Sequence, residues 1–238
     1  MAIPKVIYQT HPNKTFTDAF HWMWENTLCF NSGYKHNIFD DSEMDDYIND
    51  TCSAELAAAY NRLSIPVAKS DVWRYAILYN EGGVYLDMDA RLDVCLNDFL
   101  SPDDDAVISA GQDDWQDFTQ FAIIFRKGHP ILKRVLDYVV FNINNNKHKT
   151  RVPKCTGTNV FTRAVMAYHN YTSSYQLNTN DIGYETRLSF APVDNFNYRI
   201  HGRRWGGVIC HRYPFSALVV PRDADTDWRK LQASGVYK

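Results

Sequence analysis

The chain has 238 residues, of which 45% are hydrophobic and 22% charged, and its formal net charge is −3 at pH 7. This length and composition fit one soluble α/β domain of about 200–250 residues. The small negative charge and the lack of a Lys/Arg run argue against general nucleic-acid binding. No stretch approaches the ~18 apolar residues of a membrane span, and the N-terminus lacks a signal peptide, so we expect a cytoplasmic protein.

The cysteines predict free thiols rather than a disulfide framework. They are odd in number, widely spread and without a Cys-x-x-Cys pair: Cys29, Cys52, Cys95, Cys155 and Cys210. This pattern is typical of buried thiols in a reducing compartment and not of a zinc site.

Strands and helices alternate in the first part of the chain. The predicted elements are a strand at 3–9, a helix capped by Thr15 or Thr17, a strand at 34–39, an exposed acidic helix at 40–50 and an Ala-rich helix at 53–63. Pro66 is well placed to begin the next helix, because proline fits the first helical turn.

The stretch from Ser70 to Asp89 combines a helix, a two-glycine turn and a strand. Helical spacing puts Asp71 and Arg74 on one face, and Gly82-Gly83 can adopt the positive φ values that end a helix. The period of two in the following strand then places Tyr85, Asp87 and Asp89 on one side. Two carboxylates therefore emerge where the strand ends, beside an Asp and an Arg of the preceding helix.

The remaining elements follow the same alternation. We expect a loop at 96–105, strands at 106–110 and 120–125, a helix opened by His129-Pro130, a helix at 160–169, late strands at 188–193 and 208–211, and a basic loop at 199–207. Thr156 to Asn159 precede the predicted helix at 160–169, and they could provide its N-cap or a site for an anion. The pattern predicts a single α/β domain over residues 1–238, with a central mixed sheet flanked by helices.

The Asp-x-Asp sequence at a strand end offers hard oxygen ligands to a divalent cation. Such a cation would stabilise a departing nucleoside diphosphate, while Arg74 could bind phosphate or sugar and Asp71 could accept hydrogen bonds from sugar or ribose hydroxyls. A phosphotransferase of the haloacid-dehalogenase type also places Asp-x-Asp after a strand. It fits less well, because Ala90 and Arg91 follow the motif here.

The block from Ser70 to Asp89 resembles the sugar-binding region with a DXD motif of glycosyltransferase family 32 and its relatives, which include yeast-type initiating mannosyltransferases, capsular-polysaccharide transferases and clostridial glucosylating toxins. Four further segments resemble motifs of that family: Ile3 to Gln9, Gly128 to Pro130, Cys155 to Thr158, and His211 with Ser216. Tyr8, Thr158 and Ala217 stand where the family usually has His, Pro and Trp.

The resemblance implies a GT-A-type, Rossmann-like fold and a metal-dependent, retaining glycosyltransferase. It would move a hexose from a UDP- or GDP-sugar to a glycan, lipid-linked or protein acceptor, with Mn²⁺ or Mg²⁺ as cofactor. The implied metal or diphosphate ligands are Asp87, Asp89, His211 and Ser216. The implied donor-binding residues are Tyr8, Gln9, Asp71, Arg74, Tyr85 and Asp87.

Arg74 and Gln120 are the predicted catalytic residues. Gln120 begins a strand after a polar loop, where it could face the far side of the sugar, and a structural amide is the alternative. No carboxylate pair stands out as a double-displacement nucleophile, which favours front-face attack. A sugar-binding module without turnover is the alternative function, and a bacterial or virus-encoded enzyme would fit the compact length.

Overall fold

The computed structural model describes residues 2–92, 95–102, 104–110, 118–168, 209–210 and 227–238. Its main sheet has five strands in the order β2-β1-β3-β6-β5, and a second pairing joins β4 to β7. The strands are β1 (Val6–Thr10), β2 (Lys35–Phe39), β3 (Gly83–Leu86), β4 (Arg91–Leu92), β5 (Ala106–Ala110), β6 (Phe118–Phe125) and β7 (Ile209–Cys210). β1 pairs in parallel with β2 and β3, whereas β6 is antiparallel to β3 and β5, so the sheet is mixed as expected.

Helices pack on this sheet and on each other. They are α1 (Asp18–Phe30), α2 (Asp41–Thr51), α3 (Ala54–Asn61), α4 (Pro66–Glu81), α5 (Leu96–Phe99), α6 (Pro130–Asn144), α7 (Val152–Cys155), α8 (Thr158–Tyr168) and α9 (Trp228–Leu231), followed by a 3₁₀ turn at Gln232–Ser234. α4 contacts β3 and β6, and α6 packs against α4 and α8. The α/β class predicted from the alternation of elements is confirmed.

Helix α4 has sharply defined ends. Pro66 lies in its first turn, where the missing N–H costs no intrahelical hydrogen bond. Gly82 ends it with φ +70° and ψ −178°, a region that glycine alone adopts readily. Between these ends the helix buries a continuous run from Asp71 to Leu78, which includes Trp73, the largest fully buried side chain among the described residues.

Two local predictions need correction, namely the extent of β3 and the absence of helix in two short segments. β3 ends at Leu86, so the strand period does not extend to Asp89; the N–H of Ala90 bonds the carbonyl of Asp87 at 2.9 Å and closes a turn there. Short helices α5 and α7 occupy segments where no helix was predicted, because one turn gives too little periodicity to read. The predicted strand at 188–193 and the loop at 199–207 lie outside the described residues.

The cysteine prediction holds in part. Cys29, Cys52, Cys95 and Cys155 are free, but of these four Cys155 alone is buried and Cys29 is exposed. No helix in the described part of the chain is long and apolar enough to cross a membrane.

Replacing Gly82 by alanine should destabilise the fold by at least about 2 kcal/mol, because the backbone conformation is strained for any other residue. The new Cβ would also lie 2.6 Å from the amide nitrogen of Lys127 and 2.9 Å from Cδ of Pro4. Urea unfolding of Gly82→Ala measures the loss.

Gly33→Ala is the matched control, since a Cβ at Gly33 meets nothing within 4 Å. We expect its free energy of unfolding to stay within about 0.5 kcal/mol of wild type. Equal losses in the two variants would contradict this account of Gly82.

Candidate active site

The ends of three neighbouring strands meet at one edge of the sheet. Gln9 lies at the end of β1, Asp87 directly follows β3, and the antiparallel β6 brings Gln120 to the same place. The N–H of Asp87 bonds the carbonyl of Phe121 at 2.6 Å, so the first DXD carboxylate is fixed to β6 by its backbone. The carboxyl ends of parallel strands are the usual position for sites in α/β folds.

Arg74 of α4 is the central cation of this edge. It is 3% exposed, and its Nη1 lies 3.1 Å from Oδ1 of Asp87 and donates to the carbonyl of Gln120 at 2.9 Å. Its Nη2 lies 3.4 Å from Oδ1 of Asp71, and the guanidinium carbon lies 4.5 Å from the ring centroid of Tyr85. Burial alone would lower the pKa of Arg74, but Tyr85 and Asp71 raise it above its usual value, which keeps the group charged.

Asp71 lies one helical turn before Arg74 and is 1% exposed. Its Oδ1 accepts a hydrogen bond from Nε2 of Gln120 at 2.6 Å, and its Oδ2 accepts one from the hydroxyl of Thr156 at 3.0 Å. A buried carboxylate requires such donors, because an ion without them is costly to remove from water. Helix α4, strand β6 and the turn before α8 therefore converge on this one side chain.

Gln120 is joined to a second buried group as well as to Asp71. The hydroxyl of Tyr75, on α4, donates to Oε1 of Gln120. Burial raises the pKa of Tyr75 well above its usual value, so the phenol stays protonated and remains a donor. The orientation of the amide follows from chemistry, because an ionised Asp71 can only accept.

Tyr85 and Gln9 fix Asp87 from two sides. The Tyr85 hydroxyl donates to Oδ1 of Asp87 at 2.9 Å, and Nε2 of Gln9 donates to the Asp87 carbonyl at 3.2 Å. Oε1 of Gln9 lies 2.7 Å from Nε2 of His36, which therefore donates. The predicted residues Gln9, Tyr85 and Asp87 thus form one connected group.

Asp89 lies in the turn after Asp87, and both residues are 8% exposed. Two carboxylates at a strand end suit a hard divalent cation such as Mn²⁺ or Mg²⁺. Within the described ranges, no group of three or more His, Cys, Asp or Glu side chains is arranged to hold a metal. His211 and Ser216, the other predicted ligands, lie outside the described residues.

Tyr8 lies in a group of rings. Its ring centroid is 6.4 Å from those of both Phe39 and Trp73, and burial raises its pKa to about 12. A Cβ on Gly83 would lie 3.2 Å from its Cε2, so the strand after α4 passes close to this ring. Its role at the nucleotide stays a prediction.

Sequence reasoning missed several members of the network, namely Tyr75, His36, Thr156 and Ser70, whose hydroxyl accepts a hydrogen bond from Nη2 of Arg74 at 3.2 Å. Tyr75 is next to Arg74 in sequence, and Thr156 belongs to the segment that resembles a family motif, so both had a usable signal. His36 had none, because its link to Asp87 through Gln9 depends on the pairing of β1 with β2.

Known proteins resemble this chain in sequence. A family model for the glycosyltransferase sugar-binding region containing the DXD motif matches residues 7–107. An uncharacterised glycosyltransferase of Acanthamoeba polyphaga mimivirus is 26% identical over 82% of this chain and 75% of its own length. The initiation-specific alpha-1,6-mannosyltransferase of Schizosaccharomyces pombe is 26% identical over 71% of this chain, which spans 49% of that protein.

A solved structure shares the fold. The PaToxG glycosyltransferase superposes with a TM-score of 0.58 over 70% of both chains, at 21% sequence identity. These matches confirm the resemblance and the GT-A fold expected from the sequence. Residues 7–107 are therefore similar to a glycosyltransferase sugar-binding region that contains a DXD motif.

Replacing Arg74 by methionine should lower the free energy of unfolding by about 3–5 kcal/mol, because it leaves two buried carboxylates without their shared cation. Urea unfolding provides the measurement. Arg126→Met is the control, since the Arg126–Asp105 pair is partly exposed and is expected to contribute about 1 kcal/mol or less. Similar losses in both variants would count against a special role for the Arg74 cluster.

His36 should make stability depend on pH. Burial lowers its pKa from 6.5 to about 4, and its Nδ1 has no hydrogen-bond partner among the described residues. Below pH 6.5 His36 is protonated in the unfolded chain, whereas in the folded chain it stays neutral until about pH 4. The free energy of unfolding therefore falls as the pH falls from 6.5 to 4. The loss attributable to His36 should be at most about 3 kcal/mol.

Thermal or urea unfolding at a series of pH values tests this dependence. His36→Asn should flatten the curve between pH 6.5 and 4, whereas His21→Asn, at an exposed position of α1, should not. A wild-type slope retained by His36→Asn would assign the effect to other groups.

Proposed function

We propose that the chain is a metal-dependent, retaining glycosyltransferase that moves a hexose from a nucleoside-diphosphate sugar to a hydroxyl acceptor. The observation that carries this proposal is the placement of Asp87 and Asp89 at the edge of the sheet, with Arg74 held 3.1 Å from Asp87. A cationic fork next to two cation-binding carboxylates is the chemistry that a sugar diphosphate requires.

The carboxylates of Asp87 and Asp89 fit Mn²⁺ or Mg²⁺ by their donor chemistry, and we assign His211 and Ser216 as further ligands. When bound, the cation would neutralise negative charge on the departing diphosphate. Tyr85 and Arg74 keep the Asp87 carboxylate in one orientation, because both contact its Oδ1. We expect this orientation to reduce the cost of assembling the metal site.

Arg74 and Asp71 are the proposed ligands of the donor sugar and its ribose. Arg74 offers a permanently charged planar donor group, and the ionised Asp71 offers acceptor oxygens. Gln9 and Tyr8 would border the nucleotide from β1. Gln120 is the proposed catalytic amide at the sugar, since its side chain is half-buried and contacts Asp71 at 2.6 Å.

Retention is proposed to proceed by front-face departure and attack. Asp71 is engaged by Gln120 and Thr156, and Asp87 by Tyr85 and Arg74. Because these contacts occupy acceptor positions of both carboxylates, neither is well placed to attack the sugar as a nucleophile. This supports a route without a covalent glycosyl-enzyme.

The acceptor is proposed to be a glycan, a lipid-linked sugar or a protein hydroxyl. The name of the Schizosaccharomyces pombe relative, a mannosyltransferase, puts mannose first among the donor sugars to be tested. A cytoplasmic location remains an expectation from the sequence.

The test is a panel of UDP- and GDP-hexoses with Mn²⁺, followed by release of free nucleoside diphosphate. One donor should be consumed, and EDTA should abolish its consumption. A panel in which no donor is consumed or bound would overturn the proposal, while binding without turnover would favour the sugar-binding module.

Asp89→Asn should lower turnover of the active donor by about 100-fold or more, because it removes an anionic ligand without changing the shape of the side chain. Asp87→Asn is less clean, since Asp87 also contacts Tyr85 and Arg74. Asp137→Asn, on the exposed side of α6, should leave turnover unchanged. Full activity of Asp89→Asn would remove the metal role from this carboxylate.

A further inference from the structure

The turn between α7 and α8 fits closely around the carboxylate of Asp71. Thr156 is fully buried at 0% exposure, and its hydroxyl donates to Oδ2 of Asp71 at 3.0 Å. A Cβ on the next residue, Gly157, would lie 3.3 Å from that same oxygen and 2.9 Å from Cα of Pro153. A larger residue at 157 would therefore push against the carboxylate or the α7 backbone.

This turn is itself anchored. The side-chain amide of Asn142, on α6, donates to the carbonyls of Lys154 and Cys155 at 3.2 and 3.1 Å. The N–H of Thr156 continues the helical bonding to the carbonyl of Val152 at 2.9 Å. Because its backbone is held from two sides, Thr156 presents its hydroxyl from a fixed position.

The two oxygens of Asp71 are held by different elements. Gln120 of β6 donates to Oδ1, which also pairs with Nη2 of Arg74 at 3.4 Å, and Thr156 donates to Oδ2. Donors on both oxygens define the plane of a carboxylate, whereas donors on one oxygen alone leave more freedom of rotation about χ2. The direction in which Asp71 can accept a further hydrogen bond therefore depends on Thr156.

We propose that Thr156 is a positioning residue that orients Asp71 toward the hydroxyls of the donor sugar, with Gly157 providing the room for that contact. This inference rests on the proposed function, in which Asp71 binds the donor sugar. Thr156 acts through Asp71, so its loss should weaken use of the sugar and leave binding of the nucleoside diphosphate intact.

The experiment compares Thr156→Val, which keeps the shape and removes the hydroxyl, with Thr156→Ser, which keeps the hydroxyl. Thr156→Val should lower kcat/KM for the active donor by about tenfold or more, since a hydrogen bond to a charged group is lost. Thr156→Ser should stay within about threefold of wild type. The Kd for the matching free nucleoside diphosphate with Mn²⁺ should change less than about twofold in both variants.

Thr162→Val, on the adjoining helix α8, is the matched control. Thr162 is also buried, and its hydroxyl oxygen accepts the N–H of Phe118 at 2.7 Å instead of serving Asp71. Thr162→Val should lower the Tm about as much as Thr156→Val does, but it should leave kcat/KM for the donor unchanged. Should Thr156→Val fail to fold, Thr156→Cys replaces it, because a thiol is a weak donor of nearly the same size.

The outcomes separate this inference from the proposed function. If wild type is active and Thr156→Val behaves like Thr162→Val, the positioning role is overturned and the function stands. A parallel loss of nucleoside-diphosphate binding would also overturn it, by showing a general collapse of the site. If wild type binds a nucleotide sugar without turnover, the ratio of donor to diphosphate affinity replaces kcat/KM; if it binds none, both proposals fail.

Discussion

The guanidinium of Arg74 is the group on which the rest of the site depends. It is buried among Asp71, Asp87 and the ring of Tyr85, and it also bonds the main chain of β6 at Gln120. Each buried carboxylate would be costly without a compensating cation nearby. Arg74 thus stabilises the charge of Asp71 on its own helix and the charge of Asp87 after β3. It also holds strand β6 through its hydrogen bond to the carbonyl of Gln120. The ionic cluster therefore joins helix α4 to the segment after β3 and to β6 at the sheet edge.

Helix α4 carries residues of the core and residues of the candidate site at adjacent positions, so its register is tightly constrained. Trp73 and Tyr75 are fully buried in the core, and Asp71 and Arg74 face the sheet edge on the same helix. A slip of one residue would rotate every side chain by about 100° and would exchange core and site positions. The two ends of the helix fix its register, because Pro66 lies in its first turn and Gly82 ends it in a backbone conformation that is strained for other residues.

The features that were predicted from sequence are those encoded within a few residues. The helix with Asp71 and Arg74 and the Gly82-Gly83 turn follow from local spacing, and the structure contains both, whereas the DXD carboxylates come after the strand instead of lying in it. The end of β3 at Leu86 was missed because the turn after it is closed by a hydrogen bond that spacing does not reveal. The contacts of Gln9 with Asp87 and of Thr156 with Asp71 join residues 78 and 85 positions apart, so no local pattern could have shown them.

The hydrogen bonds around Asp71 have a direction, and that direction bears on its chemistry. The Tyr75 phenol donates to Gln120, and Gln120 donates to Asp71. The raised pKa of Tyr75 keeps the first donor protonated, and the acceptor-only carboxylate fixes the amide orientation at the other end. Hydrogen bonds that run in one direction polarise one another, so each strengthens the next. The chain of donors therefore ends at the acceptor oxygens of Asp71, the group proposed to bind the hydroxyls of the donor sugar.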